Sequence, residues 1–457
     1  MSRVTKKAAG GYEVDMCHGP LLGKIIVFAV PLILSGILQL LFNAADIIVV
    51  GRFAGSEALA AVGSTSSLIN LLVNVFIGLS IGANVLVARF YGAGKDKEVE
   101  ETVHTSILLS VISGGILLVV GVLLARPLLT LMGTPDNVIE HSTLYMKIYF
   151  VGMPVMLLYN FGAAILRAVG DTKRPLYFLF SAGIVNVVLN LIFVIVFSMG
   201  VAGVAWATVI SQCISAALII MCLMKSESSY KLYWKKLRIV PAKMKAIARI
   251  GFPAGLQGAI FSISNVLIQS SINSFGSVAM AGNTASSNIE GFIYNSMNAV
   301  YQTALSFTSQ NFGAGEYKRM RKVMYICLGL VTLVGAVMGF GAILAGRHLL
   351  GIYSSDPEVI RFGLYRLTII ASTYYICGWM DTMVGVLRGM GYSVMPMLVS
   401  LTGACAFRVL WIFTIFAADR TLTTLYLSYP VSWGITAAAH VICYFMIRKK
   451  VERGRVY

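Results

Sequence analysis

Apolar residues fill this chain in long blocks separated by short polar stretches. The blocks run near 25–50, 58–88, 103–125, 143–166, 175–198, 201–223, 248–273, 278–308, 323–346, 363–386, 394–417 and 426–447. Each is long enough for a helix to cross the ~30 Å hydrocarbon core of a bilayer, which takes about 20 residues. The alternating strands of about ten residues that build a membrane barrel are not seen. The pattern therefore predicts an all-α integral membrane protein with twelve transmembrane helices. The chain opens on polar residues, including Glu13 and Asp15, and its first apolar run is too long for a signal core, so no cleavable signal peptide is expected.

The blocks also repeat. "RFYGAGK" (89–95) returns as "QNFGAGE" (310–316), and "LRAVGDTKRP" (166–175) as "LRGMGYSVMP" (387–396), both 221 residues apart. "FAVPLILSG" (28–36) lies over "IGFPAGLQG" (250–258) at an offset of 222. One period shared by several matches predicts an internal duplication of six helices per half. Because six is even, both halves enter the membrane in the same sense, as in parallel-repeat transporters. The expected organisation is an N-terminal six-helix lobe over 1–224, a cytoplasmic connector over 225–245 and a C-terminal six-helix lobe over 246–457. Each Gly-Ala-Gly reads as a helix stop, since glycine tolerates left-handed backbone. A phosphate loop is the rival reading, but the Walker pattern is absent and GxG alone is weak.

Charge changes the picture in one respect. Charged residues make up only 12% of the chain, yet the net charge is +17. With the N-terminus inside, most of the 36 Lys and Arg fall in alternate, inner loops, including the connector "KSESSYKLYWKKLRIVPAKMK" (225–245). This is the positive-inside bias. The basic excess records topology, with both termini cytoplasmic, and not a nucleic-acid partner; the partner expected throughout is the lipid bilayer. Tyr233 and Trp234 of the connector suit the inner headgroup layer. The seven cysteines have no CxxC spacing and read as small membrane-embedded side chains.

Chemistry is sought where polarity is expensive, inside the spans. In the first, Ser35, Gln39, Asn43 and Asp46 fall on one helical face, and Pro31 lies in the same run, where a kink is favoured. The seventh span has the matching Pro253 and a stripe of Gln257, Asn265 and Gln269, without an acid. Asp46 is either a functional acid facing a wet crevice or a structural acid paired near the outer end. Asn186 and Asn190 lie one turn apart in the fifth span, and Thr208 is in the sixth; such residues often serve as interhelical glue. The eighth span carries Asn283, Ser287, Glu290, Tyr294, Asn298 and Tyr301 on one face, the tenth Asp381 and the eleventh Arg408. Arg408 either lines a cavity or forms a buried ion pair with Asp381 or Glu290. No HExxH, Walker A or GxSxG motif occurs, which disfavours an enzyme or an ATP pump.

These stretches, with "ADIIVVGRFAG", "GANVLVARFYGAGK", "NVVLNLIFV", "GVAGVAWAT", "SQNFGAGE" and "YPVSWGIT" in this order, resemble the multidrug and toxic compound extrusion (MATE) family, in its bacterial DinF-like or MepA-like branch. The resemblance implies two pseudo-symmetric six-helix lobes forming a V-shaped central cavity in a bacterial cytoplasmic membrane protein. It implies cation-coupled export of cationic or amphipathic organic compounds, by proton or sodium antiport and without a cofactor, from a chain acting as a monomer. It places a cation or proton site at Asp46, Asn186 and Thr208, with Asn190 standing where the family has an Asp. Gln39, Asn43, Asn265, Gln269, Glu290, Tyr294, Asp381 and Arg408 are the substrate-cavity candidates, and Pro31 and Pro253 the hinges. On this expectation, cation binding at Asp46 lets the first helix change its bend at Pro31, and the lobes rock between inward-open and outward-open states. A flippase of lipid-linked precursors, in the same superfamily, is the alternative; it usually needs a strongly cationic cavity, and here Arg408 stands nearly alone.

Overall fold

The computed structural model describes residues 11–452. The terminal cations Arg3, Lys6, Lys7, Arg453 and Arg455, which contribute to the expected cytoplasmic charge, lie outside them. The described chain is helical throughout its apolar blocks. The long helices are α1 (Leu21–Phe53), α2 (Ser56–Gly92), α3 (Asp96–Leu131), α4 (Asp136–Val151 continued by Met153–Ala168), α5 (Lys173–Leu191, prolonged by a π-helical turn over Ile192–Val196) and α6 (Gly200–Lys225). After the connector come α7 (Pro241–Asn273), α8 (Ser277–Gly313), α9 (Tyr317–Leu344), α10 (Pro357–Gly389), α11 (Val394–Ser400 through Ile412–Phe416) and α12 (Leu422–Glu452). Two stretches of α11, Leu401–Ala406 and Ile412–Phe416, are π-helical. The halves of α4 meet at Gly152 with a bend of 48°, where Pro154 cannot donate a backbone hydrogen bond. Both α1 and α7 run on as single helices through Pro31 and Pro253.

Among the described residues nine helices are long and apolar enough to cross a membrane, or ten when bent α4 counts as one span. The two that fall short are α8 and α10. They carry Asn283, Glu290 and Arg366, side chains that lower apolarity but are buried inside the protein. Outward positions are apolar, as a lipid-facing surface requires: Leu123, Leu131, Leu344 and Phe413 are all exposed.

The chain forms two compact units. One contains residues up to Met16 and Ile37–Ala259; the other contains Cys17–Gly36 and Ile260–Tyr457. Helices α1 and α7 are thus each divided between the units.

In the first unit, α2 and the first part of α7 approach backbone to backbone. A methyl group on Gly78 would overlap the main chain of Gly255, and one on Gly82 would overlap the carbonyl of Ile247. Gly251 and Gly255 are equally tight against Leu79 and Val75. Small residues four apart on both helices permit this approach, which gains dispersion contacts where no hydrophobic force separates protein from lipid. On the polar side of this unit the connector is pinned to α3. The Tyr233 amide donates to His104 Nε2 at 3.0 Å, and the two rings stack 6.3 Å apart. Lys236 pairs with Glu100 at 2.9 Å, and Lys243 with Glu98. Trp234 remains exposed. The incoming chain is held beside it: Val14 N–H donates to Gly170 O at 3.0 Å, and Glu13 accepts from Tyr91 at 3.2 Å and from Tyr230.

The repeated turns agree in conformation. Gly94 and Gly315, the second glycines of the two Gly-Ala-Gly copies, have φ of +66° and +77°, and Gly170 and Gly391 have +102° and +94°. Each copy closes a long helix, as the structural reading requires.

The α2–α7 contact makes a stability test. Gly78→Ala should lower the thermal unfolding midpoint of the purified protein, at a cost of about 1–3 kcal/mol for overpacking. Gly63→Ala, on the same helix with open space at its Cβ, should be neutral or slightly stabilising. Equal midpoints for the two variants would contradict the close approach.

Candidate functional site

In the first unit, three helices bring four polar side chains together. Asp46 comes from α1, Asn186 and Asn190 from successive turns of α5, and Thr208 from α6. Asn190 Nδ2 donates to Asp46 Oδ1 and, at 3.2 Å, to Asn186 Oδ1. Asn186 Nδ2 in turn reaches Thr208 Oγ1 at 3.5 Å, and that hydroxyl donates to Val204 O at 3.0 Å. The approach of α1 to α5 depends on Gly183, where a side chain would overlap the Phe42 ring. A π-helical turn begins at Ile192, just after Asn190; such turns are frequent at functional sites.

The electrostatics of the cluster are unbalanced. Asp46 is half-buried and Asn190 fully buried. No ion pair involves Asp46 among the described residues. Its one side-chain donor is a neutral amide, and Asn190 Oδ1 is buried with no hydrogen-bond partner. A carboxylate inside a span with neutral partners alone is undercompensated. Asp46 itself accepts an N–H from Asn190, and the side-chain oxygens of Asn190, Asn186 and Thr208 belong to the same cluster. Tyr145 and Tyr149 of α4 lie within electrostatic reach of Asp46. Sequence reasoning did not single them out, because tyrosine at helical spacing does not announce which face it takes. Gln39 and Asn43, on the same stripe of α1, are exposed and stand outside this hydrogen-bonded cluster.

The second unit contains a different network. Arg366 of α10 donates from Nε to Glu290 Oε1 at 2.9 Å and from Nη2 to Glu290 Oε2 at 2.7 Å. Its Nη1 reaches Asn283 Oδ1 at 2.7 Å. Ser286 donates to Glu290 at 3.0 Å, and Gln269 Oε1 accepts from Asn283 at 3.0 Å. The guanidinium also lies 5.5 Å from the ring centres of Tyr426 and Tyr429. This corrects one expectation: Glu290 pairs with Arg366 and not with Arg408. The alternative overlooked Arg366, although it is a single charge inside the apolar run 363–386 and was visible as such. Asp381, half-buried, faces the Tyr294 hydroxyl. Asn265 is exposed, and Arg408 is buried against Ser432, Tyr429 and Trp433. Among the described residues no group of three or more His, Cys, Asp and Glu is arranged to hold a metal ion.

Comparison with known proteins follows the repeat. The MatE family pattern matches residues 31–192 and again 253–414, each match starting on the proline of its first helix. The chain belongs to the MatE family. A relative, the probable multidrug resistance protein YoeA of Bacillus subtilis, is 28% identical over 382 residues, 82% of each chain. Another, the FAD transporter of Shewanella oneidensis, is 24% identical over 75% of this chain and 76% of its own. Among solved structures, a MOP superfamily transporter from Pyrococcus furiosus superposes with a TM-score of 0.91 at 19% identity, covering 99% of this chain and all of the other. This MatE chain is a multi-pass membrane transporter with the twelve-helix fold of MATE structures.

The Glu290–Arg366 pair is the readiest feature of this MatE protein to test. Arg366→Met leaves a buried carboxylate alone and should destabilise the protein by about 3–5 kcal/mol. The double variant Glu290→Met with Arg366→Met should recover most of that loss in thermal unfolding. A double variant no more stable than Arg366→Met would contradict the account that the lone buried carboxylate is what destabilises Arg366→Met.

Proposed function

We propose that this chain is a cation-coupled multidrug exporter. It would carry amphipathic organic compounds out through the bacterial cytoplasmic membrane by alternating access, driven by proton or sodium entry, with both termini on the cytoplasmic side. The observation that carries the reading is the undercompensated Asp46, held by Asn190 and in no ion pair among the described residues. A proton or a sodium ion supplies the missing positive charge. Asn190 Oδ1, Asn186 Oδ1 and Thr208 Oγ1 are the neutral oxygens available beside it, and the buried, unpartnered Asn190 Oδ1 is the acceptor that such an ion would satisfy.

Coupling follows from differential affinity. An ion shifts a conformational equilibrium only as far as it binds one state more tightly. Neutralising Asp46 weakens its hold on Asn190, and with it the tie between α1 and α5. Pro31, which interrupts the hydrogen-bond ladder of α1, is where that helix yields. Export of multiple drugs is supported by the names of relatives such as YoeA.

Everted vesicles loaded with a fluorescent organic cation, under imposed pH or sodium gradients, test the proposal. Efflux should follow one of the two gradients and fall to background in Asp46→Asn while membrane insertion stays normal. Full gradient-driven efflux in Asp46→Asn would overturn the assignment.

A further inference from the structure

We propose that the second unit holds a binding site for a flat aromatic compound bearing an acidic group, with Arg408 as its charge partner. The inference deepens the exporter reading, on which its biological role rests, and names a second substrate class beside the organic cations of the vesicle assay.

Glu290 and Asp381 are the acids of this half that would attract a cation, and the first of them is not available. Glu290 is consumed by Arg366 through two hydrogen bonds. Arg388, also buried, donates to the Tyr301 hydroxyl at 2.9 Å. Asp381 faces the Tyr294 hydroxyl, and no ion pair joins it to Arg408 among the described residues.

Arg408 is a buried guanidinium with an unmet donor. It is 3% exposed. Its Nε donates to Ser432 Oγ at 2.8 Å, while Nη2 is buried without a hydrogen-bond partner. No ion pair involves it among the described residues. A desolvated guanidinium without an anion is costly, and its fork geometry matches a carboxylate or phosphate. The residue sits on a five-residue α-helical stretch, Phe407–Trp411, between the two π-helical segments of α11.

Aromatic rings supply the rest of the site. The guanidinium carbon lies 4.3 Å from the Tyr429 ring centre and 5.6 Å from that of Trp433. Trp433 stacks on Tyr374 at 5.3 Å, and Tyr374 on Tyr294 at 6.5 Å, both with 30° between ring planes. Tyr294 is 38% exposed and forms the open end of this row. In the proposed complex half-buried Tyr374 and Tyr429 yield to a planar ring whose acidic group meets Nη2. Cation–π contact alone is weaker than the pairing that an anion placed on the fork supplies.

The probes are 2-naphthoate and its uncharged analogue 2-naphthamide, titrated calorimetrically into the full-length protein in lipid nanodiscs, with empty nanodiscs subtracted. The wild type should bind naphthoate at least tenfold more tightly than naphthamide. Arg408→Gln should abolish the preference, and Trp433→Leu should weaken binding of both compounds. Absence of a preference in the wild type overturns the proposal without recourse to any variant; a preference that survives in Arg408→Gln overturns it equally. Asp46→Asn, in the other unit, should retain the naphthoate preference. Retention of that preference supports the site even where the vesicle assay rejects the exporter reading, so the two failures are distinguishable.

Discussion

A carboxylate within a membrane span needs a partner, and in this protein Asp46 has a neutral one. The hydrogen bond from Asn190 ties α1 to α5, and Asn186 and Thr208 extend the tie to α6. An ionised acid beside a basic residue would be locked. One beside amides and a hydroxyl stays responsive to whatever positive charge arrives. Gly183 is what lets α1 close on α5.

The second unit solves the same problem in the opposite way. Its buried acid, Glu290, is given a permanent cation, with Asn283, Ser286 and Gln269 completing the network. That is a structural solution, and it removes Glu290 from any role as a free charge. The duplicated halves therefore share turns and helix lengths but not chemistry. The repeated glycines with positive φ preserve the fold, while the polar side chains inside the spans have diverged. In this half Arg408 keeps a buried Nη2 without a hydrogen-bond partner among the described residues.

Much of this was legible in the sequence because membrane physics writes it plainly. Apolar runs marked the spans, and the 221-residue period marked the duplication. Helical spacing put Asp46 on a polar face of α1. The convergence of Asn186, Asn190 and Thr208 on that acid came from family resemblance, since helical periodicity orders residues along one helix and says nothing of which neighbour it meets. For the same reason the sequence offered Glu290 the wrong partner, Arg408: Arg366 lies 76 residues away, on a helix whose facing only packing decides. The division of α1 and α7 between units was equally invisible, because neither helix changes composition where the boundary falls.

The central claim is that Asp46 takes up the coupling ion, and infrared difference spectroscopy of the purified transporter tests it directly. Spectra would be compared between low and high pH, and with and without sodium. A carboxyl band that responds to one of these ions, present in the wild type and absent from Asp46→Asn, is the expected result. A band from Asp46 indifferent to both ions, or an ion response unchanged in Asp46→Asn, would contradict the account.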